Sequence, residues 1–266
     1  MLRSHGTDLI TDMSSAAYRI LRGNPNVKIE LVKAPNYSSI GYNFTHPPLD
    51  DIRVRQAITY AIDQQRMIAN LEFGTAVPAT ADLSDFYWAY DLNVTRYPFD
   101  LRRSGQLLDQ AGWKVGAGGI RQKNGQPLSL QLVYGQGSET ARQIAIQTQA
   151  DLAQAGIQVQ LKVYLYSVLY ATKAEGGILN NGKFDLAEWS WVSGADPDDS
   201  SQWMCDQVPP AGNNAWHYCN AQFDAAERTA LAIFDRSARK KAYATTQSLL
   251  TGDAAAAFLF YPRLRY

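Results

Sequence analysis

The sequence predicts an α/β protein, a mixed sheet flanked by helices. Two segments alternate as half-buried strands do: Leu128, Leu130 and Leu132 with Ser129 and Gln131, and Ile157, Val159, Leu161, Val163 and Leu165 with Gln158, Gln160 and Lys162. Between them, Ile144, Thr148, Leu152 and Ala155 share a helical face, with Ser138 placed to cap the start and Gly156 to end it in the left-handed conformation. Strand-like and helix-like segments alternate along the rest of the chain, the pattern of a sheet carrying helices.

The other elements follow in order. Val27 to Val32 and Ser39 to Phe44 read as short strands. Val54, Ala57, Ile58, Ala61 and Ile62 fall at helical spacing between Pro47-Pro48 and Gly74, which predicts one helix over 51–72. The stretch 75–98 has neither period and reads as a long loop. Asp100 caps a second helix that stops near Gly112, and Asn124-Gly125 marks a turn. A short helix is expected at 166–175, a strand from Phe184 to Trp191, helices capped by Asn220 and Ser237, and a final apolar run from Ala254 to Tyr261.

The 266 residues suit one large or two small domains and can bury a core without staples. Lys+Arg and Asp+Glu are each 25, a balance unlike that of a dedicated nucleic-acid binder. No apolar run approaches the roughly 18 residues of a membrane-spanning helix. MLRSHGTDLI lacks the apolar stretch and cleavage site of a secretory signal. The chain is therefore expected to be cytosolic, or a piece whose targeting segment is gone. Cys205 and Cys219 flank Pro209, Pro210, Gly212, Asn213 and Asn214, loop chemistry that lets the ends meet. A disulfide is expected in an oxidising compartment; two buried free thiols are the alternative.

Catalytic signatures are missing: no GxSxG, HExxH, P-loop or GxGxxG occurs. His5, His46 and His217 are far apart in sequence. Asp196-Pro197-Asp198-Asp199 is the densest carboxylate cluster and reads as a turn with caps for the next helix, with acid–base or cation chemistry the alternative. No catalytic residue, metal or cofactor is assigned.

Residues 41–66, GYNFTHPPLDDIRVRQAITYAIDQQR, resemble a segment of the family 5 extracellular solute-binding proteins, the dipeptide and oligopeptide binders of ABC importers. The match holds at Tyr42, Asn43, Pro48, Leu49, Asp51, Arg53, Val54, Arg55, Gln56, Ala57, Ala61, Ile62 and Asp63. Tyr97-Pro98-Phe99-Asp100, Ala111-Gly112-Trp113, the segment from Leu152 to Val159, Phe184-Asp185-Leu186, Trp189 to Trp191 and Asp196-Pro197 resemble the family's later motifs in order. Arg53 and Arg55 read as structural partners of nearby carboxylates.

The resemblance implies the C-terminal lobe of a type II periplasmic-binding-protein-like fold. Residues 1–45 would enter the lobe from the hinge, 46–252 would form it, and 253–266 would return toward an N-terminal lobe missing from this sequence. It implies a non-enzymatic, substrate-binding component of an ABC importer. The ligand would be a small solute, a peptide first, with a sugar, opine or metal chelate as alternatives. Implied partners are the membrane permease and the other lobe, with no nucleic acid; the isolated lobe is expected to self-associate through its apolar cleft face. The full-length protein would be periplasmic, or extracellular and membrane-anchored. A sensing domain of a cytoplasmic transcriptional regulator is the rival.

The family's ligand lies near the strand matching Trp189–Trp191. Trp191 and Trp189 are therefore the first candidate ligand-binding residues, joined by Ser193, Asp196 and Trp88. The two tryptophans at i and i+2 share one face of a regular strand. The aspartate that anchors a peptide's α-amino group in peptide-binding members has no counterpart in Val192-Ser193-Gly194-Ala195.

Overall fold

The computed structural model describes residues 8–11 and 13–266; His5 lies outside them. In chain order the elements are α1 (Ser15–Leu21), β1 (Leu31–Lys33), β2 (Asn36–Tyr42), α2 (Ile52–Ala61), α3 (Gln64–Leu71), β3 (Val77–Pro78), α4 (Leu101–Gln110), β4 (Lys114–Val115), β5 (Arg121–Lys123), β6 (Gln126–Pro127), β7 (Ser129–Gly135), α5 (Glu139–Gln154), β8 (Gln158–Tyr164) and α6 (Tyr166–Leu169). Then come β9 (Leu186–Val192), α7 (Ser200–Trp203), α8 (Ala221–Ala232), α9 (Arg236–Gly252), β10 (Ala256–Tyr261) and β11 (Arg263–Arg265).

The main sheet runs β3-β10-β2-β9-β7-β8. β7 lies parallel to β8 and β9, whereas β2 is antiparallel to β9 and β10. The sheet is mixed, as the sequence predicts. β1 and β11 form a separate antiparallel ribbon, and β4, β5 and β6 a small meander. β2 and β10 are interior strands, so segments on both sides of 46–252 build this sheet.

Two cores cover the two faces, because side chains alternate along each strand. One takes Leu130, Leu132 and Leu186 with Val54, Ile58, Leu108, Ile144 and Leu152 from α2, α4 and α5. The other takes Val133, Ala187 and Trp189 with Trp203, Trp216, Phe223 and Leu250.

The single helix predicted over 51–72 is two. Asp63 interrupts it: its carboxylate accepts from Arg66 N (2.9 Å) to cap α3, while its own N–H donates to Asp151 Oδ2 (3.0 Å). Met67 and Ile68 are buried on α3, so the apolar pattern runs across the break and hides it. The first strand is Leu31–Lys33 rather than Val27 to Val32, because β11 pairs only there. Asp235, not Ser237, caps α9 by accepting from Ala238 N (2.8 Å).

Arg53 and Arg55 are structural. Arg53 clasps Asp51 (2.6 Å) and donates to Gln110 O (2.8 Å). Arg55 is buried, donates to Leu49 O and Asp253 O (both 2.8 Å), and lies over the Phe44 ring. Asn43 ends β2. Its Nδ2 donates to Gly182 O and Phe184 O, and its Oδ1 accepts from Thr45, so every polar atom of this fully buried amide is used.

Cys205 and Cys219 form a disulfide across 14 positions. A loop of that size is worth about 3 kcal/mol in the chain-entropy account. Reduction is therefore expected to lower the urea midpoint by that equivalent, checked by denaturation with and without dithiothreitol.

Candidate functional site

β7, β8 and β9 are parallel, so their carboxyl ends lie on one edge of the sheet. From there β7 leads to α5 on the first core face, while β9 leads to α7 and Trp203 on the second. Neighbouring parallel strands whose connections leave to opposite faces open a crevice beyond their carboxyl ends. Pairing between β7 and β9 stops at Val133 and Ala187, and the strands part beyond it.

An aromatic stack occupies this edge. Trp189 and Trp191 lie on one face of β9, stacked with centroids 6.0 Å apart and planes 14° from parallel. Tyr170 meets Trp189 at 5.6 Å, and Tyr166 stacks on Tyr170 at 5.8 Å. Trp189 is buried, but Tyr166 and Tyr170 are 46% and 43% exposed and Trp191 is half-buried. Trp216 supports the stack from below, edge-on to Trp189 at 5.2 Å. Its ring lies over Gly41, which pairs with Ala187 of β9 on one side and Ala256 of β10 on the other. Three small residues across three strands thus seat the indole.

Asp199 fixes the upper end. Its Oδ1 accepts from Trp191 Nε1 (3.0 Å) and from Ser193 Oγ (2.5 Å). Asp198, one residue earlier, accepts from Ser200 N (3.0 Å), whereas Asp199, at the N-cap of α7, makes no capping bond, so the expected cap is a turn bond from one residue before the cap position. The structure therefore brings Trp189, Trp191 and Ser193 together.

Asp196 and Trp88 sit in a different cluster. Asp196 pairs with Arg239 of α9 (2.6 Å), and Arg236 and Arg239 lie over the Trp88 ring at 5.0 and 5.5 Å. Tyr87 donates to Gly194 O (2.7 Å), and Tyr90 packs against Tyr261. Both loop tyrosines pin the 75–98 segment to its own domain.

The sequence reading missed Tyr166, Tyr170, Glu188 and Asp199. The i, i+4 spacing of the two tyrosines just after the cleanest strand was the available signal. Glu188 is 8% exposed, and burial pushes its carboxyl up to about 7 against the single hydrogen bond from Ser190. Behind Asp199 lie two more buried acids, Asp82 and Glu227. Asp82 Oδ1, Asp199 Oδ2 and Glu227 Oε1 have no hydrogen-bond partner among the described residues. Burial raises all three; Glu227, also facing the other acids, reaches about 9. Among the described residues no three His, Cys, Asp or Glu side chains are grouped to hold a metal ion.

Residues 1–213 match the family model described as bacterial extracellular solute-binding proteins, family 5 middle. The oligopeptide-binding protein AppA of Bacillus subtilis is 30% identical over 89% of this chain and 43% of its own length. Heme-binding protein A of Haemophilus influenzae is 26% identical over 95% of this chain and 44% of its own. The structure of AppA in complex with a nonapeptide superposes with a TM-score of 0.85 at 26% identity, covering 99% of this chain and 52% of that one. The chain thus spans less than half the length of these curated relatives. A family of substrate-binding proteins fits a crevice walled by aromatic rings rather than by a nucleophile and its base. On the family match and the agreement of fold, this chain belongs to the family 5 bacterial extracellular solute-binding proteins.

Proposed function

We propose that this chain is one lobe of a two-lobed receptor that captures a small solute for an ABC importer. The aromatic stack at the carboxyl edge of β7, β8 and β9 carries the reading. Tyr166, Tyr170 and Trp191 offer broad, rigid contact area with few rotors to freeze on binding. Trp189 and Ser193 act through Trp191, the first as its stacking partner and the second through Asp199. Trp88 and Asp196 form a rim on α9.

The ribbon of β1 and β11 starts from the same edge, since Asn36 at the start of β2 pairs with Val192 at the end of β9. It is the passage to the second lobe, and the cleft lies between. A peptide is the first candidate ligand, supported by the relative named for oligopeptides; the relative named for heme keeps other solutes in view. The partner is the importer's permease, and the location is periplasmic or extracellular. The disulfide supports that location and weighs against the cytoplasmic sensor.

A thermal-shift screen of peptides, oligosaccharides and metal chelates, run on this chain and on the full-length protein, tests the reading. A ligand that binds the native state raises the melting point by mass action. The expected result is a shift for the full-length protein with a peptide and a smaller one, or none, for this chain. No shift of the full-length protein with any class would overturn it.

A further inference from the structure

We infer that the turn joining α8 to α9 is a contact surface for a lipid bilayer with anionic headgroups. The inference takes from the receptor reading only that the protein works beside a membrane; it does not depend on the solute. Three residues, Ile233-Phe234-Asp235, join the two helices. The hairpin is tied at this end: Arg239 Nε donates to Ala230 O (2.9 Å), and Asp235 accepts from Ala238 N (2.8 Å) to cap α9. Its inward side chains Phe223, Ala230, Tyr243 and Leu250 are buried. Phe234 is left outside. It is 102% exposed, the most exposed large apolar side chain among the described residues, and Leu231, one turn earlier, is 45% exposed. Burying such a ring would stabilise the fold, and this turn forgoes it. A lone apolar side chain at a surface carries no message, but this one stands beside unpaired charge.

Residues 228–241 carry five cations, Arg228, Arg236, Arg239, Lys240 and Lys241, against one acid, Asp235, in a chain whose formal charge is zero. Two of the five are engaged: Arg228 with Asp206 (3.0 Å) and Asp224 (3.7 Å), and Arg239 with Asp196 (2.6 Å). Arg236, Lys240 and Lys241 are exposed, and no acid pairs with them among the described residues. Arg236 lies over the Trp88 ring at 5.0 Å, which keeps its charge at the surface. All three follow Phe234 within about 10 Å of helix axis, at roughly 1.5 Å per residue. That is about one Debye length at physiological salt, so a ring seated among the headgroups brings the three cations into the field of an anionic surface. An acidic protein would answer the charges alone; a bilayer answers the ring as well, because an apolar layer lies directly beneath its phosphates. Trp88 and Asp196, the proposed rim, adjoin the same cluster, so this contact would hold the mouth of the cleft near the membrane in which the importer sits.

The test is co-sedimentation of the full-length protein, prepared without any attached lipid, with two kinds of vesicle. One is phosphatidylcholine alone; the other is phosphatidylcholine and phosphatidylglycerol in equal parts. The mixed vesicles are expected to bind at least about tenfold more tightly, since each cation near an anionic surface contributes roughly fivefold. The preference should fade in about 0.5 M salt. The double variant Lys240→Glu, Lys241→Glu should erase it, and Phe234→Ser should weaken binding to the mixed vesicles about fivefold. All three side chains face water, so the melting points should not move. Equal binding to both vesicles, binding to neither, or a preference that the double variant keeps overturns the inference. Retention of the wild type but not the double variant by the importer's permease, with no vesicle binding, also overturns it and assigns the turn to a protein. The two readings fail separately: absent vesicle binding leaves the receptor's solute shift intact, and an absent solute shift leaves vesicle binding intact.

Discussion

Gly41→Ala is expected to destabilise the protein by about 3 kcal/mol, the upper range for overpacking a core. The new methyl would stand 2.2 Å from the Trp216 ring, and two more ring carbons lie at 2.5 Å. Neither side can yield easily. Trp216 is 1% exposed and wedged against Trp189 and Phe184, and Gly41 lies in an interior strand paired on both edges. Trp216→Ala removes the indole instead and is expected to lose about 4 kcal/mol through the cavity it leaves. The two changes should be non-additive, the double variant being more stable than the sum of losses predicts, because each relieves the other. Urea denaturation of the four proteins measures this. Strict additivity would mean that the indole does not rest on Gly41.

The second large effect is on pH dependence. Glu227, Asp82 and Asp199 have carboxyls that burial raises in the folded protein, Glu227 to about 9. In the unfolded chain they ionise near pH 4. Between those values the folded state holds protons that the unfolded state has released, so stability falls as pH rises through this window. Below about pH 4 both states are protonated and the penalty vanishes. The ion pairs of Asp85 and Glu139 act oppositely, since their lowered carboxyls lose their contribution only in acid. The stability maximum is thus expected near pH 5 rather than above neutrality. Glu227→Gln should change stability little at pH 5 and raise it at pH 8.5 by about 5 kcal/mol, roughly 15 °C in melting point. Melting curves at the two pH values check it. A variant whose stability moves in parallel with the wild type would show that Glu227 titrates as an ordinary surface acid.

Most of the fold is legible in the sequence because it rests on period and on caps. β7, α5 and β8 follow from alternation, a serine cap and a closing glycine, all local signals. The break at Asp63 is not local: it depends on Asp151, far along the chain, accepting the backbone N–H that the turn exposes. The candidate site divides the same way. Trp189 and Trp191 are marked by their spacing on one strand and by the family motif. Asp199 reads as one more turn aspartate until the chain folds its carboxylate onto Trp191 and Ser193. Glu188 sits in an apolar strand as a single acid, and its place just past the last pair of β7 and β9 depends on strand pairing that local sequence does not carry. Asp196 lies in the motif yet turns to Arg239, a partner that local sequence cannot supply.

The ribbon of β1 and β11 has a mechanical consequence. Its backbone ladder, with Glu30 and Tyr266 exchanging hydrogen bonds beyond it, joins two chains side by side into a narrow plank. A plank resists bending within the plane of its cross-links and yields across it. In the two-lobed receptor proposed above, the lobe would keep one soft degree of freedom, a swing normal to the ribbon, while sideways rocking stays stiff. Closure would then repeat along one arc, bringing Trp191 and Tyr170 back to the same place each time, with no separate search for alignment.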